Sequence, residues 1–206
     1  TVLIDSNLTT ELSLNNKDVK KLYNYVNNKN IDYASYKNRG KKLSWDYLSL
    51  VTMYNIPQNY VLKDEKNIEY VDSYSFLDKY REIFGSDLTI SKEEQNTTTC
   101  GAVNYKNDVY YPNWYCKEKS DDSIIVTYLK NVTIDKEYLN INKYYAFIVK
   151  TDENTFDLYS SDEKEEKTLI ATNLSIYEIS NYINEMNIMS YRFKKINNQY
   201  YLNNIK

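Results

Sequence analysis

The stretch Thr97-Thr98-Thr99-Cys100-Gly101-Ala102-Val103-Asn104-Tyr105, continued by Val109-Tyr110-Tyr111-Pro112-Asn113-Trp114-Tyr115-Cys116, constrains this chain more than any other. Two runs of β-favouring residues flank the polar break Lys106-Asn107-Asp108, and each run carries one of the only two cysteines. Such a pattern predicts a β-hairpin stapled near its open end by a Cys100–Cys116 disulfide. Closing a loop of that size stabilises a fold by roughly 3 kcal/mol in the chain-entropy picture. Two free thiols in a reducing compartment are the competing reading. A zinc site is not, because the chain has no histidine and no third cysteine.

A disulfide places the chain in an oxidising compartment. The sequence begins at Thr1 without a methionine, which leads to the expectation of a signal peptide or membrane anchor upstream. The chain itself has no apolar run near the roughly 18–20 residues needed to cross a bilayer, so any membrane contact is expected only through that upstream segment.

Composition narrows the function classes. With 206 residues the chain can bury a core without help. Its apolar content depends on 24 tyrosines against 5 Phe and 2 Trp, so many core rings carry a hydroxyl that needs a partner. Lys, Asn, Ile and Tyr are abundant and Arg and Ala rare, the signature of an AT-rich genome. A net charge of −3 without a basic stripe argues against nucleic acid as a partner. With only 3 Gly there is no Gly-rich phosphate loop. The absence of histidine removes Ser-His-Asp, Cys-His and His acid–base chemistry. Chemistry on Asp/Glu or on Tyr/Lys survives that exclusion.

Periodicity predicts a fold of the α+β class. Val19, Leu22, Tyr23 and Val26 form one helical stripe with Asn16 as N-cap, and the segment from there to Gly40 is irregular. A second helix over Ser44–Asn55 is apolar around much of its circumference, and a third spans Ser73–Phe84 with Gly85 at its C-terminal cap. The segment 60–71 stays open between short strands and linker. Beyond Leu88 the period changes to two, which predicts a single, mainly antiparallel meander. Ser175 and Glu178 form a capping box for one further helix near 175–187, ahead of a closing hairpin turned at Asn197-Asn198. We therefore expect one α+β domain over 1–206, mainly helical in 1–86 and mainly β in 87–206, with the helices packed on one sheet face.

Within the stapled hairpin, Pro112 cannot donate a ladder hydrogen bond, so an edge position or a bulge is expected there. Alternation puts Tyr110, Pro112 and Trp114 on one face and Tyr111, Asn113 and Tyr115 on the other. One set enters the core, and the other is free to stack on sugar rings or to grip a partner protein. Tyr110, Tyr111, Trp114 and Tyr115 are thus the candidate ligand-binding residues, set against the plainer reading of a tyrosine-rich chain filling a sheet face. Asp121-Asp122 and Glu163-Glu165-Glu166 lack the spacing and central glycine of a calcium loop, and a glycosidase pair needs a tertiary geometry that spacing does not give; both clusters, like the acidic-basic break Asp162–Lys167, read as solvated turns. No metal ligands, cofactor or catalytic residues are assigned.

The order of an amphipathic helix (Val19–Val26), a helix ending in Ile83-Phe84-Gly85-Ser86-Asp87-Leu88, a cysteine-bearing strand pair and a closing hairpin over Tyr191–Leu202 resembles the exported or membrane-anchored proteins of low-GC Gram-positive bacteria. That resemblance implies location and anchoring, and no activity. By topology a nuclear-transport-factor-like cone is a further analogy. The expectation is a non-enzymatic, extracytoplasmic binding domain for an envelope glycan or envelope protein. The alternatives are a carboxylate- or Tyr/Lys-based enzyme with a pocket between sheet and helices, and a structural subunit of an envelope or secretion assembly.

Overall fold

The computed structural model describes residues 9–85, 90–114, 123–163 and 165–206. After a short strand β1 (Thr10–Leu12), helix α1 (Lys17–Val26) begins where expected. The Asn16 carboxamide accepts from the backbone N–H groups of Asp18 at 2.9 Å and Val19 at 3.4 Å, satisfying two otherwise orphaned donors. The stretch read as irregular contains a second helix, α2 (Lys29–Asn38), capped by Asn28. It carries little apolar signal because its buried face includes Asp32 and Ser35.

Helix α3 (Trp45–Tyr54) is buried nearly all round because it serves two cores. Tyr47, Leu50 and Val51 enter the larger one, whereas Trp45 and Met53 enter a smaller one. Two short strands follow, β2 (Leu62–Lys63) and β3 (Glu69–Asp72), and then α4 (Ser73–Phe84). Asp72 caps α4 through Ser75 N–H at 2.9 Å, and Gly85 ends it at φ 89°.

The remaining strands are β4 (Val103–Lys106), β5 (Val109–Pro112), β6 (Ser123–Ile134), β7 (Tyr138–Asp152), β8 (Thr155–Tyr159), β9 (Leu169–Leu174), β10 (Asn187–Ile196) and β11 (Gln199–Ile205). Among the described residues all the pairings are antiparallel, and with the N-terminal helices they make an α+β fold. The larger sheet runs β1-β6-β7-β10-β11, with β8 and β9 continuing from β7. Strand β7 spans both halves: its first half pairs β10 and its second half pairs β8. A bulge between Leu129 and Asn131 in β6 shifts the alternation by one, so Leu129 and Val132 both face the helices. The opposite face of β7 and β8 buries Ala146, Ile148 and Leu158 under Ile179 and Met186.

Two expectations change. The cysteine-bearing hairpin does not join the main meander. It pairs with β3 to form a second sheet of order β2-β3-β5-β4, so β5 is an inner strand. Pro112 is tolerated because it is the last residue of β5, past the point where β3 pairs. The helix expected near 175–187 is only a 3₁₀ segment, Ile179–Glu185, interrupted at Tyr182. The glutamate half of the expected box is present (Ser175 N–H to Glu178 Oε2, 2.8 Å), but the segment itself starts at an N-cap, Glu178, without a side-chain cap, and Ile176 is left 47 % exposed. Both predicted turns, Asn107-Asp108 and Asn197-Asn198, hold two successive residues at positive φ, the geometry that two-residue hairpins demand.

Candidate binding site

The four aromatic residues singled out above separate. Tyr110 is 2 % exposed, and its ring stacks on Phe76 at 4.0 Å with Trp45 at 6.1 Å. Burial, reinforced by Tyr105 and Asp108, pushes its hydroxyl up to about 12. Trp114 packs against the same small core and meets Tyr54 edge-on at 5.4 Å. Tyr111 faces the other way, as alternation requires. Tyr115 and Cys116 lie outside the described residues, as do Asp121 and Asp122; Cys100 is not a free thiol.

Tyr111 belongs to a row that crosses the outer face of the smaller sheet. Pairing sets Leu62 opposite Tyr70 and Asn104 opposite Tyr111, and the Val71–Tyr110 pair brings Tyr70 alongside Tyr111. The two tyrosine rings lie 6.0 Å apart at 45°. Leu62 at one end is 44 % exposed and Ile68 nearby 41 %. At the other end Tyr111 and Asn104 line an open trough of about 680 Å³, walled by the Asp64–Ile68 turn, Asn96 and Lys106.

The polar parts of this trough are held in place. Asn104 Oδ1 accepts from Thr97 N–H at 2.7 Å, and its Nδ2 donates to Asn113 Oδ1 at 3.0 Å. Asn113 Nδ2 in turn donates to the Thr97 carbonyl at 2.9 Å. Across the trough, Asp64 Oδ1 accepts from the N–H groups of Lys66 and Ile68, each at 2.9 Å, which fixes the turn. Asp64 and Glu65 are balanced by Lys66 and Lys106, so the lining is close to neutral.

No family model, curated protein or solved structure matches this chain.

A second cavity, of about 560 Å³, opens between α1, α4 and the β10–β11 turn. Among its lining residues is Glu82, which accepts from Tyr25 OH at 2.5 Å and from Lys21 at 3.1 Å, and also pairs with Lys79. Burial pushes the Glu82 carboxyl up, but Lys79, Tyr25 and Lys21 together outweigh it and hold the group down at about 2. A carboxylate held so firmly ionised is a latch between two helices and a poor proton donor.

The other concentration of charge is sealed. Lys143 projects from the middle of β7 into the core, 2 % exposed, where it donates to Asp32 Oδ1 and to the Val26 carbonyl, both at 2.7 Å. Asp32 also accepts from Tyr191 OH at 2.5 Å and Thr127 Oγ1 at 2.7 Å. Burial lowers the Lys143 ammonium below its ordinary value against the opposing pull of Asp32, and burial raises the Tyr191 hydroxyl well above its own. Lys143 lines neither cavity, so this lysine, carboxylate and tyrosine tie α2 to the sheet. Asp162, in the loop between β8 and β9, likewise holds α2. Glu163, Glu165, Glu166 and Lys167 are exposed, as a solvated turn requires, but the Asp162 side chain is only 7 % accessible and bound to Tyr33 OH and Lys37, each at 3.1 Å.

Tyr70, Asn104 and the Asp64–Ile68 turn were not among the residues read from sequence. The signal for them was present: an Asp-x-x-Asn turn (Asp64, Asn67) between Leu62 and Ile68–Val71 marks a hairpin edge.

Proposed function

We propose that this is a non-enzymatic, extracytoplasmic binding domain of a cell-envelope protein, and that it holds an envelope glycan on the outer face of its smaller sheet. The observation that carries the reading is the outward-facing Tyr70–Tyr111 pair beside an immobilised Asn104. A tyrosine ring offers a flat apolar face for the C–H face of a pyranose, and fixed amides and nearby lysines read its hydroxyls. Because Asn104 and the Asp64 turn are ordered without ligand, little conformational freedom remains to be lost on binding. The near-neutral lining favours an uncharged sugar. Placement outside the cell follows from the proposed Cys100–Cys116 link, in keeping with Cys100 not being a free thiol.

Two experiments test this. On a glycan array carrying peptidoglycan fragments and neutral oligosaccharides, the wild-type chain is expected to mark a restricted set of sugars, and Tyr111→Ala to lose them. Binding unchanged by that substitution, or retention of an envelope protein and no sugar, contradicts the reading. Thiol titration of the denatured, unreduced chain is expected to find no reactive sulfhydryl. Two of them remove the export argument.

A further inference from the structure

The groove between α1, α4 and the β10–β11 turn holds charges that do not find each other. On α1, Asp18, Lys21 and Tyr25 share a face at i, i+3 and i+7; on α4, Asp78, Arg81 and Glu82 do the same at i, i+3 and i+4. Glu82 is engaged by Lys21, Lys79 and Tyr25. Asp78 and Arg81, three residues apart on one helix, also line the groove and are spaced as a pair that ordinarily meets. Among the described residues neither makes an ion pair or side-chain hydrogen bond, and the same holds for Asp18. Tyr200 of β11, whose hydroxyl is raised by burial and then by Asp135 and Asp18, lines the groove from the hairpin side.

We propose that this groove is a second binding site, for a small zwitterion: a free amino acid or short peptide carrying both an ammonium and a carboxylate. Arg81 presents a planar fork of donors suited to two carboxylate oxygens. Asp18 and Asp78 supply the negative charge for an ammonium group. The cavity of about 560 Å³ lies within the range of about 300–1,000 Å³ found for small-molecule pockets. A ligand with only one of the two charges leaves the opposite protein charge unanswered, so both ends contribute to recognition. This site is separate from the glycan face and does not depend on it.

Isothermal titration with Ala, Ala-Ala and Ala-Ala-Ala tests the proposal and separates an amino-acid site from a peptide site by the spacing of the two charges. For the best of the three, N-acetylation and C-amidation are each expected to weaken binding at least about tenfold, or 1.4 kcal/mol. Arg81→Gln is expected to abolish the difference between the free acid and the amide while preserving the difference between the amine and its acetyl form. The double substitution Asp18→Asn/Asp78→Asn is expected to do the reverse. All three positions are exposed, so the variants are expected to fold, which circular dichroism and urea unfolding will verify. Free and blocked forms binding alike, no binding by any of the three at about 10 mM, or charge discrimination that survives the substitutions each overturn the site and leave the glycan reading untouched.

Discussion

The two sheets treat their polar residues in opposite ways. The larger sheet takes a lysine into its core and surrounds it: Asp32 and the Val26 carbonyl accept from Lys143, and Tyr191 and Thr127 complete the Asp32 shell. The smaller sheet buries an apolar stack of Phe76, Tyr110 and Trp45 and sets Tyr70 and Tyr111 on its outer face. A polar cluster satisfied from within holds a fold together, whereas two rings and a fixed amide beside an open trough are the features on which the proposed ligand face rests. Charge alone is therefore a poor guide within these two sheets. The buried ion pair of the larger sheet is structural, and the candidate ligand face of the smaller one is nearly neutral.

The sharpest way to break that contrast is at Lys143. Replacing it by Met leaves Asp32 buried without its counter-charge, and a loss of about 3–5 kcal/mol in urea unfolding is expected. The double variant Lys143→Met/Asp32→Leu should regain the part of that loss due to the orphaned charge, but not the hydrogen bonds of Tyr191, Thr127 and the Val26 carbonyl. If Lys143→Met unfolds like the wild type, the cluster is not the structural tie described.

On the smaller sheet, Phe76→Ala empties the stack beneath Tyr110 and should cost about 3 kcal/mol. The same substitution is expected to weaken glycan retention only in proportion to the unfolded fraction, which circular dichroism and binding measured on one sample can separate.

A smaller effect is expected at Glu82. Its carboxyl sits at about 2 when folded, against an ordinary value of 4.5. Between those values the unfolded chain binds more protons, so stability rises with pH across that window. The contribution is complete above about pH 4.5 and fades as pH falls toward 2. Solvent screening reduces it to about 1 kcal/mol. Glu82→Gln should lower stability by that amount at pH 7 and by almost nothing at pH 2, in paired denaturation curves. An equal loss at both pH values means the charge is not responsible.

Smallest of all is the stability change at Tyr111. As a side chain on the outer face, its replacement by Ala should shift unfolding by about 0.5 kcal/mol or less. A much larger shift identifies the ring as packing and returns the outer face to the role of the inner one.

The sequence was most legible where local chemistry acts alone. Asn16, Ser44 and Gly85 marked helix ends correctly, and the Asn-rich pairs at 107–108 and 197–198 marked hairpin turns. It was least legible where tertiary partners change what a residue means. Asp32 and Ser35 hid α2, because only Lys143, Tyr191 and Tyr47 make that polar helix face suitable for burial. The split into two sheets was hidden because β3, a short strand far upstream, claims the hairpin. Of the candidate site, Tyr111 was read correctly as one of two alternating faces. Its companions Tyr70 and Asn104 come from β3 and β4 and acquire meaning only once β5 lies between them.

One measurement bears most directly on the glycan face: retention of the chain on purified Gram-positive peptidoglycan, compared between wild type and Tyr70→Ala/Tyr111→Ala. The wild type is expected to be retained and displaced by soluble glycan fragments, while the double variant, still folded, passes through at least about tenfold less bound, a loss of about 1.4 kcal/mol. Equal retention of the two proteins, or none by the wild type, contradicts a glycan-binding outer face.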